Sequence, residues 1–186
     1  MKALVLNALG PEANFNVAEL LAVSLRNRGW EHQVFSLEEM DIKPCTSCGN
    51  CAAKTPGRCS IKDDMEKLYS GLANSQLVIF CSLISFGGYH SSFKIVQDRF
   101  MPINTAFFTV RKGELHHKSR YCPTPSLMTV GLLRDNNAKE KTAFEYLTER
   151  NAINMNIDRW TSVVLTPEDK PEEVLDCLEQ ALKEVI

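Results

Sequence analysis

No run in this chain approaches the roughly 20 consecutive apolar residues that a helix needs to cross a bilayer. A helical membrane protein is therefore not expected. An excess of charge is missing too: 21 Lys and Arg stand against 23 Asp and Glu, for a formal charge of −2. The basic residues are scattered, so the chain has no electrostatic footprint for nucleic acid or for an anionic membrane. The opening "MKALVLNALG" has an apolar run that stops at Asn7. It is too short for a signal h-region and has no cleavage site, so a cytoplasmic location is expected. Internal repeats, low-complexity tracts and linkers are absent. The four histidines, His32, His90, His116 and His117, show no ligand spacing beyond the adjacent pair, and surface roles are expected of them. Neither G-x-G-x-x-G nor G-x-x-x-x-G-K-[ST] occurs, which removes the two common nucleotide fingerprints.

What is present is enough apolar residue for one sizeable core: 44% of 186 residues. On length, residues 1–186 are expected to form one domain. Apolar runs alternate with helical patterns. "KALVL" (Lys2 to Leu6) reads as a buried parallel strand. Val17, Leu20, Leu21 and Leu25 share a helical face, with Asn14 or Asn16 available as the N-cap and Gly29 as the stop. His32 to Leu37 reads as a second strand. "KDDMEKLYSGLANS" reads as a helix with Asp63 and Asp64 in its first turn, where acids complement the dipole. Gln76 to Ile84 is the clearest buried strand. A helix over about Ser91 to Phe100, a strand over Ser126 to Leu132, a helix over Ala138 to Met155, a strand in "WTSVVLT" and a final helix in "PEEVLDCLEQALKEVI" complete the series. Asn104 to Pro125 reads as a long irregular connection, either a plain surface connection or, as loops of this length more often do than chance suggests, the cover of a site or a subunit contact. Five strands alternating with five helices predict a doubly wound parallel α/β sheet. Ligands of such sheets sit outside the carboxyl ends of the strands, at the point where strand order reverses.

Two loops at that edge stand out. "NALGPEANFN" leads into a helix N-terminus, whose free N–H groups and dipole favour an anion such as the phosphate of FMN. A connecting loop that binds nothing is the plain alternative. "SFGGYHSSFK" sets Gly87 and Gly88 between Phe86 and Tyr89. Here a backbone can approach a flat ligand and aromatic rings can stack on it, or the segment is a tight turn with two core-facing aromatics. On the following helix Lys94 and Asp98 are spaced for an i,i+4 pair, and Arg99 can pair as well; structural use is expected of all three.

The least ordinary segment is "CTSCGNCAAKTPGRC", spaced Cys45-x2-Cys48-x2-Cys51-x7-Cys59. Short steps let one loop wrap an iron–sulfur cluster, with the fourth ligand returning after the turn at Thr55-Pro56-Gly57. A structural zinc site also takes four thiolates, although its two C-x2-C knuckles usually lie farther apart. A reduced thiol cluster without metal is the third reading. Cys81 and Cys177 are expected to be inert core residues, and Cys122 has no assignment.

The chain resembles the iron–sulfur flavoproteins and the closely related NAD(P)H-dependent FMN reductases of the flavodoxin-like superfamily. The carriers are "MKALVLNA", "IKPCTSCGNCAAKTPGRCSIKDDM" and "LVIFCSLISFGGYHSSFKIVQDRF", and the resemblance runs to about residue 135. It implies a flavodoxin-like five-stranded sheet in the order 2-1-3-4-5, carrying the cysteine-rich loop as an insertion at about 43–61. It also implies FMN, with its phosphate on the backbone of Leu9, Pro11, Asn14, Phe15 and Asn16, and its isoalloxazine against Ser82, Leu83, Ile84, Ser85, Phe86, Gly87 and Gly88. A [4Fe-4S] cluster is implied on Cys45, Cys48, Cys51 and Cys59, close to the flavin of a neighbouring subunit in a homodimer or homotetramer. Glu12 stands in a loop where relatives carry cationic and hydroxyl side chains, and a carboxylate facing the phosphate would repel it. Ser82-Leu83-Ile84-Ser85 stands where relatives carry Thr-Pro-Val-Tyr, and Phe86 or Tyr89 can supply the missing aromatic.

The expected function is FMN-dependent electron transfer between a two-electron donor and one-electron acceptors, the partner being a redox protein or a small molecule. No side chain is assigned as acid or base. The alternatives are an NAD(P)H-dependent FMN or quinone reductase without a cluster, and a flavodoxin-fold binding protein that has lost FMN.

Overall fold

The computed structural model describes residues 1–11 and 13–186. In chain order the elements are β1 (Lys2–Ala8), α1 (Val17–Asn27), β2 (Glu31–Ser36), α2 (Met65–Asn74), β3 (Leu77–Ser85), β4 (Gly88–Tyr89), α3 (Ser91–Gln97), β5 (Asn104–Arg111), β6 (Glu114–Ser119), β7 (Ser126–Leu132), α4 (Ala138–Asn154), β8 (Trp160–Leu165) and α5 (Pro171–Val185). The order β2-β1-β3-β7-β8 makes a sheet whose neighbours along that path all run parallel. Counting only these strands, the order is the expected 2-1-3-4-5. The short β4 pairs antiparallel with the end of β3.

Strand alternation sends side chains to two cores. Ala3, Val5, Leu77, Ile79, Cys81, Met128 and Val130 meet Leu21 and Leu25 of α1 and Val174, Leu178 and Leu182 of α5. Leu4, Leu6, Val78 and Phe80 face the other way, against Met65, Leu68 and Leu72 of α2, Phe93 and Val96 of α3, and Phe144 of α4. Helices on both faces leave the middle strands almost without polar residues, which is why they are legible as continuous apolar runs.

Two close approaches need glycine. A Cβ on Gly71 would lie 2.9 Å from Cδ1 of Leu4, so this residue sets how near α2 comes to β1. A Cβ on Gly131 would lie 2.6 Å from Cδ1 of Ile84 and 2.7 Å from Cε1 of Phe144. Gly131→Val is therefore expected to overpack the core and to cost about 1–3 kcal/mol, read as a lower midpoint in urea.

Helix α1 ends as its sequence predicts. The Asn16 side-chain oxygen accepts from the Glu19 N–H at 3.2 Å. Beyond the last turn Gly29, at φ +70°, donates to Arg26 O, and Trp30 donates to Leu25 O. These two bonds close a Schellman motif. Asn16→Ala is expected to cost about 1 kcal/mol of stability, measured by the same denaturation.

Three expectations are corrected. Asn104 to Pro125 is largely a hairpin: β5 and β6 pair antiparallel about a turn at Lys112 and Gly113, both with positive φ. A register shift between Asn104 and Phe108 sets Phe107 and Phe108 side by side in solvent, and that interruption hides the period-2 pattern. Asp63 and Asp64 precede α2 rather than forming its first turn, where Glu66 is the acid. Cys177 is exposed, because the apolar stripe of α5 runs through Val174, Leu178 and Leu182, and Cys177 falls outside it.

Candidate functional site

At the end of β1, Asn7 turns the chain by accepting the Leu9 N–H on its side-chain oxygen at 3.2 Å. The loop beyond it walls a cleft of about 510 Å³, a size usual for small-molecule sites. Leu9, Pro11, Asn14, Phe15 and Asn16 all line it, joined by Ser36 at the end of β2 and Leu132 at the end of β7. Glu38 and Glu39, in a 3₁₀ turn after β2, also line it, and sequence reasoning passed over both. Among the described lining residues these carboxylates are the only charged groups. Among the described residues the backbone N–H groups of Gly10, Ala13, Asn14, Phe15 and Asn16 find no protein acceptor. An anion here would be held by those N–H groups and the α1 dipole, since no cationic side chain lines the cleft among the described residues. The expected position of Glu12 against a phosphate lies outside the described residues.

The second loop leaves the same sheet edge, since Ala8 of β1 pairs with Ser82 of β3. Ser82, Leu83 and Ile84 are buried in the strand, and Ser82 Oγ donates to Leu83 O and accepts from the His90 N–H. Ser85 and Gly88 pair across the turn. Phe86 sits at its tip, fully exposed at 100% with φ +52°. Gly87 faces α4: a Cβ there would lie 2.6 Å from Cβ of Ala143, and its N–H donates to Glu140 Oε2 at 3.3 Å. Tyr89 packs on Phe80, Phe93 and Phe144, accepts from Asn151 Nδ2 on its hydroxyl, and is pushed up to about 12 by burial. Of the two aromatics, Phe86 alone is free to meet a ligand. None of Ser82 to Gly88 lines the 510 Å³ cleft, so the structure places the two loops as neighbours on one edge without joining them in one cavity.

The cysteine loop follows the Glu38–Glu39 turn. Cys45 and Cys48 are exposed, Cys51 and Cys59 half-buried, and all four are free thiols. The loop is wound by short turns: Ala52 and Ala53 donate to Gly49 O, Thr55 to Asn50 O, and Gly57 to Cys51 O. Ser47, Gly49 and Gly57 have positive φ, the left-handed backbone this winding requires. Ser47 N–H approaches Cys45 Sγ at 3.4 Å, and Cys48 Sγ lies 3.5 Å from Ser60 Oγ. The Ser60 hydroxyl is the main reason the Cys48 thiol is pulled down, whereas burial and then the neighbouring Cys59, Cys45 and Cys48 push the Cys51 thiol up. Cys51 thus lies within electrostatic reach of the other three thiols. Among the described residues, no three His, Cys, Asp or Glu side chains already converge as a metal site.

Both ends of this loop are tied to one buried ion pair, in which Arg99 has the structural pairing role expected of it but with a partner, Asp63, that sequence reasoning missed. Arg99, following α3, pairs with Asp63, their side chains 1% and 0% exposed. Burial pushes the Asp63 carboxyl up, but bonds from Arg99 and from the Lys43 and Met65 N–H groups outweigh it and hold the carboxyl below its ordinary range. The sequence signal was present in an arginine set among the apolar residues of "IVQDRFMPI", but its partner lies far away in the chain. The Lys94–Asp98 pair forms as expected.

A parallel sheet of this order, with its cleft where the strand order reverses, is the flavodoxin-like architecture. The chain belongs to the NADPH-dependent FMN reductase family, whose profile matches residues 1–124; FMN is the cofactor that membership supports. It is 29% identical over 98 residues to an iron-sulfur flavoprotein of Methanocaldococcus jannaschii, covering 52% of this chain and 50% of that one. It is 30% identical over 91 residues to an iron-sulfur flavoprotein of Archaeoglobus fulgidus, covering 49% and 46%. The chain thus spans about half the length of these curated relatives. Among solved structures, the NAD(P)H:quinone oxidoreductase of Methanothermobacter marburgensis superposes with a TM-score of 0.68 over 97% of this chain and 96% of that one, at 11% identity. The azoreductase of Bacillus anthracis gives 0.65 over 98% and 97%, at 12% identity. At such identities these likenesses establish the fold.

Proposed function

We propose that this protein is a cytoplasmic FMN-dependent electron carrier that holds a [4Fe-4S] cluster on Cys45, Cys48, Cys51 and Cys59. On this reading residues 1–186 act as one flavodoxin-like domain with the cysteine loop inserted. The observation that carries it is the placement of four free thiols in one tightly wound loop that follows the turn lining the cleft, with Met40 to Pro44 between them. The chemistry of the donor set fits a cluster: four free thiols within one loop, with N–H donors already on two of the sulfurs, Ser47 on Cys45 and Arg99 on Cys59. Convergence of the sulfurs is the part that binding itself contributes, as for other metal sites that close on their ion.

When bound, the flavin supplies one- or two-electron exchange and the cluster one-electron exchange. The residues of this chain bind and orient. The N–H groups of Gly10, Ala13, Asn14, Phe15 and Asn16 would receive the phosphate, Asn16 fixes the start of α1, and the end of β3 from Ser82 with the turn at Ser85 to Gly88 would border the ring, with Phe86 free to cover it. The exposed apolar hairpin residues Phe107, Phe108, Val110 and Leu115 offer a surface for assembly into a homodimer or homotetramer. The two-electron donor and the one-electron acceptor, a redox protein or a small molecule, meet the chain at the open cleft edge.

FMN and riboflavin titrations followed by flavin fluorescence test the flavin half of this reading. One FMN per chain is expected, bound about tenfold or more tightly than riboflavin, because charge-assisted N–H bonds to the phosphate are worth about 1.5–3 kcal/mol. Binding of neither flavin would contradict the reading and favour a binding protein that has lost FMN.

A further inference from the structure

The side chain of Arg99 lies almost wholly out of solvent, and its hydrogen bonds do not follow from stability alone. Nη1 donates to Lys43 O at 2.9 Å and pairs with Asp63, while Nη2 donates to Cys59 Sγ at 3.4 Å and reaches Ile61 O at 3.5 Å. Lys43 precedes Cys45 and Ile61 follows Cys59, so one guanidinium joins the two ends of the cysteine loop. Asp63 repeats the closure by accepting from the Lys43 N–H at 2.9 Å. Tyr69 steadies the arginine from beneath, donating its hydroxyl to Arg99 O at 2.9 Å. A buried ion pair is often no more stabilising than well-packed apolar residues of similar volume. A neutral thiol is also a weak acceptor for so strong a donor. A guanidinium edge aimed at sulfur makes physical sense when that sulfur carries negative charge.

We propose that Arg99 is a positioning residue that clasps the cysteine loop and, through its N–H bond to Cys59 Sγ, raises the reduction potential of the cluster held there. The inference rests on the cluster reading of the proposed function. Reduction adds one negative charge to the centre, and a donor on a ligand sulfur stabilises the more negative state preferentially. Asp63 offsets the formal charge of Arg99, so the directed N–H bond carries most of the effect. Lysine can keep the charge against Asp63, but it lacks the planar fork that reaches a carbonyl, a carboxylate and a sulfur together.

The test compares wild type, Arg99→Lys and the double variant Asp63→Asn/Arg99→Gln, which leaves no charge stranded. Each is reconstituted without oxygen from ferrous iron and sulfide, analysed for both elements, and titrated electrochemically. Both variants are expected to shift the reduced-to-oxidised ratio at a fixed potential about tenfold toward oxidised, which for one electron is about 59 mV. Pulsed paramagnetic resonance of reduced wild type carrying isotopically labelled arginine is expected to show coupling to a guanidinium nitrogen, and this readout needs no variant to fold. Clusters at the wild-type potential in both variants, or no coupling in wild type that holds a cluster, would overturn the role of Arg99 alone. A wild type that takes up no iron and sulfide would overturn the cluster reading, and this inference with it.

Discussion

Replacing Cys45 and Cys48 together by serine is expected to abolish cluster iron, from about four atoms per chain to near zero, because a [4Fe-4S] centre needs a thiolate on each iron. The fold should survive. Both thiols are exposed and their contacts are the Ser47 N–H and the Ser60 hydroxyl, so the change in stability should stay within about 0.5 kcal/mol. FMN binding should also be unaffected, since neither cysteine lines the cleft. The readouts are iron and sulfide per chain, far-ultraviolet circular dichroism, and flavin affinity. Retention of iron and sulfide by the double variant would sink the ligand assignment. Loss of iron together with loss of fold would mean that the loop is structural, contrary to its exposure.

Asp63→Ala is expected to produce the largest loss of stability. It strands the Arg99 charge in a site with almost no solvent, a change that typically costs about 3–5 kcal/mol. It also removes the acceptor for the Lys43 and Met65 N–H groups. In a chain of this length the melting temperature should fall by about 6–20 °C. The pH dependence has a definite sign. The folded carboxyl titrates below its unfolded value of about 3.9, so its contribution is complete above that value and is lost as pH falls through the folded one. The gap between wild type and variant should therefore be full at neutral pH and narrow below about pH 4. Urea midpoints across that range provide the measurement. A gap under 1 kcal/mol at neutral pH, or one that widens in acid, would refute the account of this pair.

The elements that build the sheet were legible because their signals are local. β1, β3 and β7 are buried on both faces, so each shows as an apolar run, and Asn16 and Gly29 mark the ends of α1 by their own backbone chemistry. The hairpin β5–β6 was illegible for the opposite reason: Phe107, Phe108, Val110 and Leu115 face solvent, and the bulge breaks their alternation. The sequence pattern places the start of α2 too early because Asp63 and Asp64 resemble first-turn acids, whereas Asp63 is engaged with Arg99. That pair joins distant parts of the chain, and no local pattern announces it. Of the candidate site, the first loop and the cysteine spacing could be read directly. The carboxylates of Glu38 and Glu39 beside the cleft, the turning of Gly87 toward Ala143 and the burial of Tyr89 depend on packing between elements, which periodicity does not encode.

The absorbance spectrum of the protein purified without oxygen, recorded before and after dithionite, tests the two-centre account most directly. Two resolved flavin bands over a broad brown shoulder, both bleaching on reduction, are the predicted result. Flavin bands without the shoulder would contradict the cluster and leave an FMN reductase with free thiols. A colourless protein would contradict both centres.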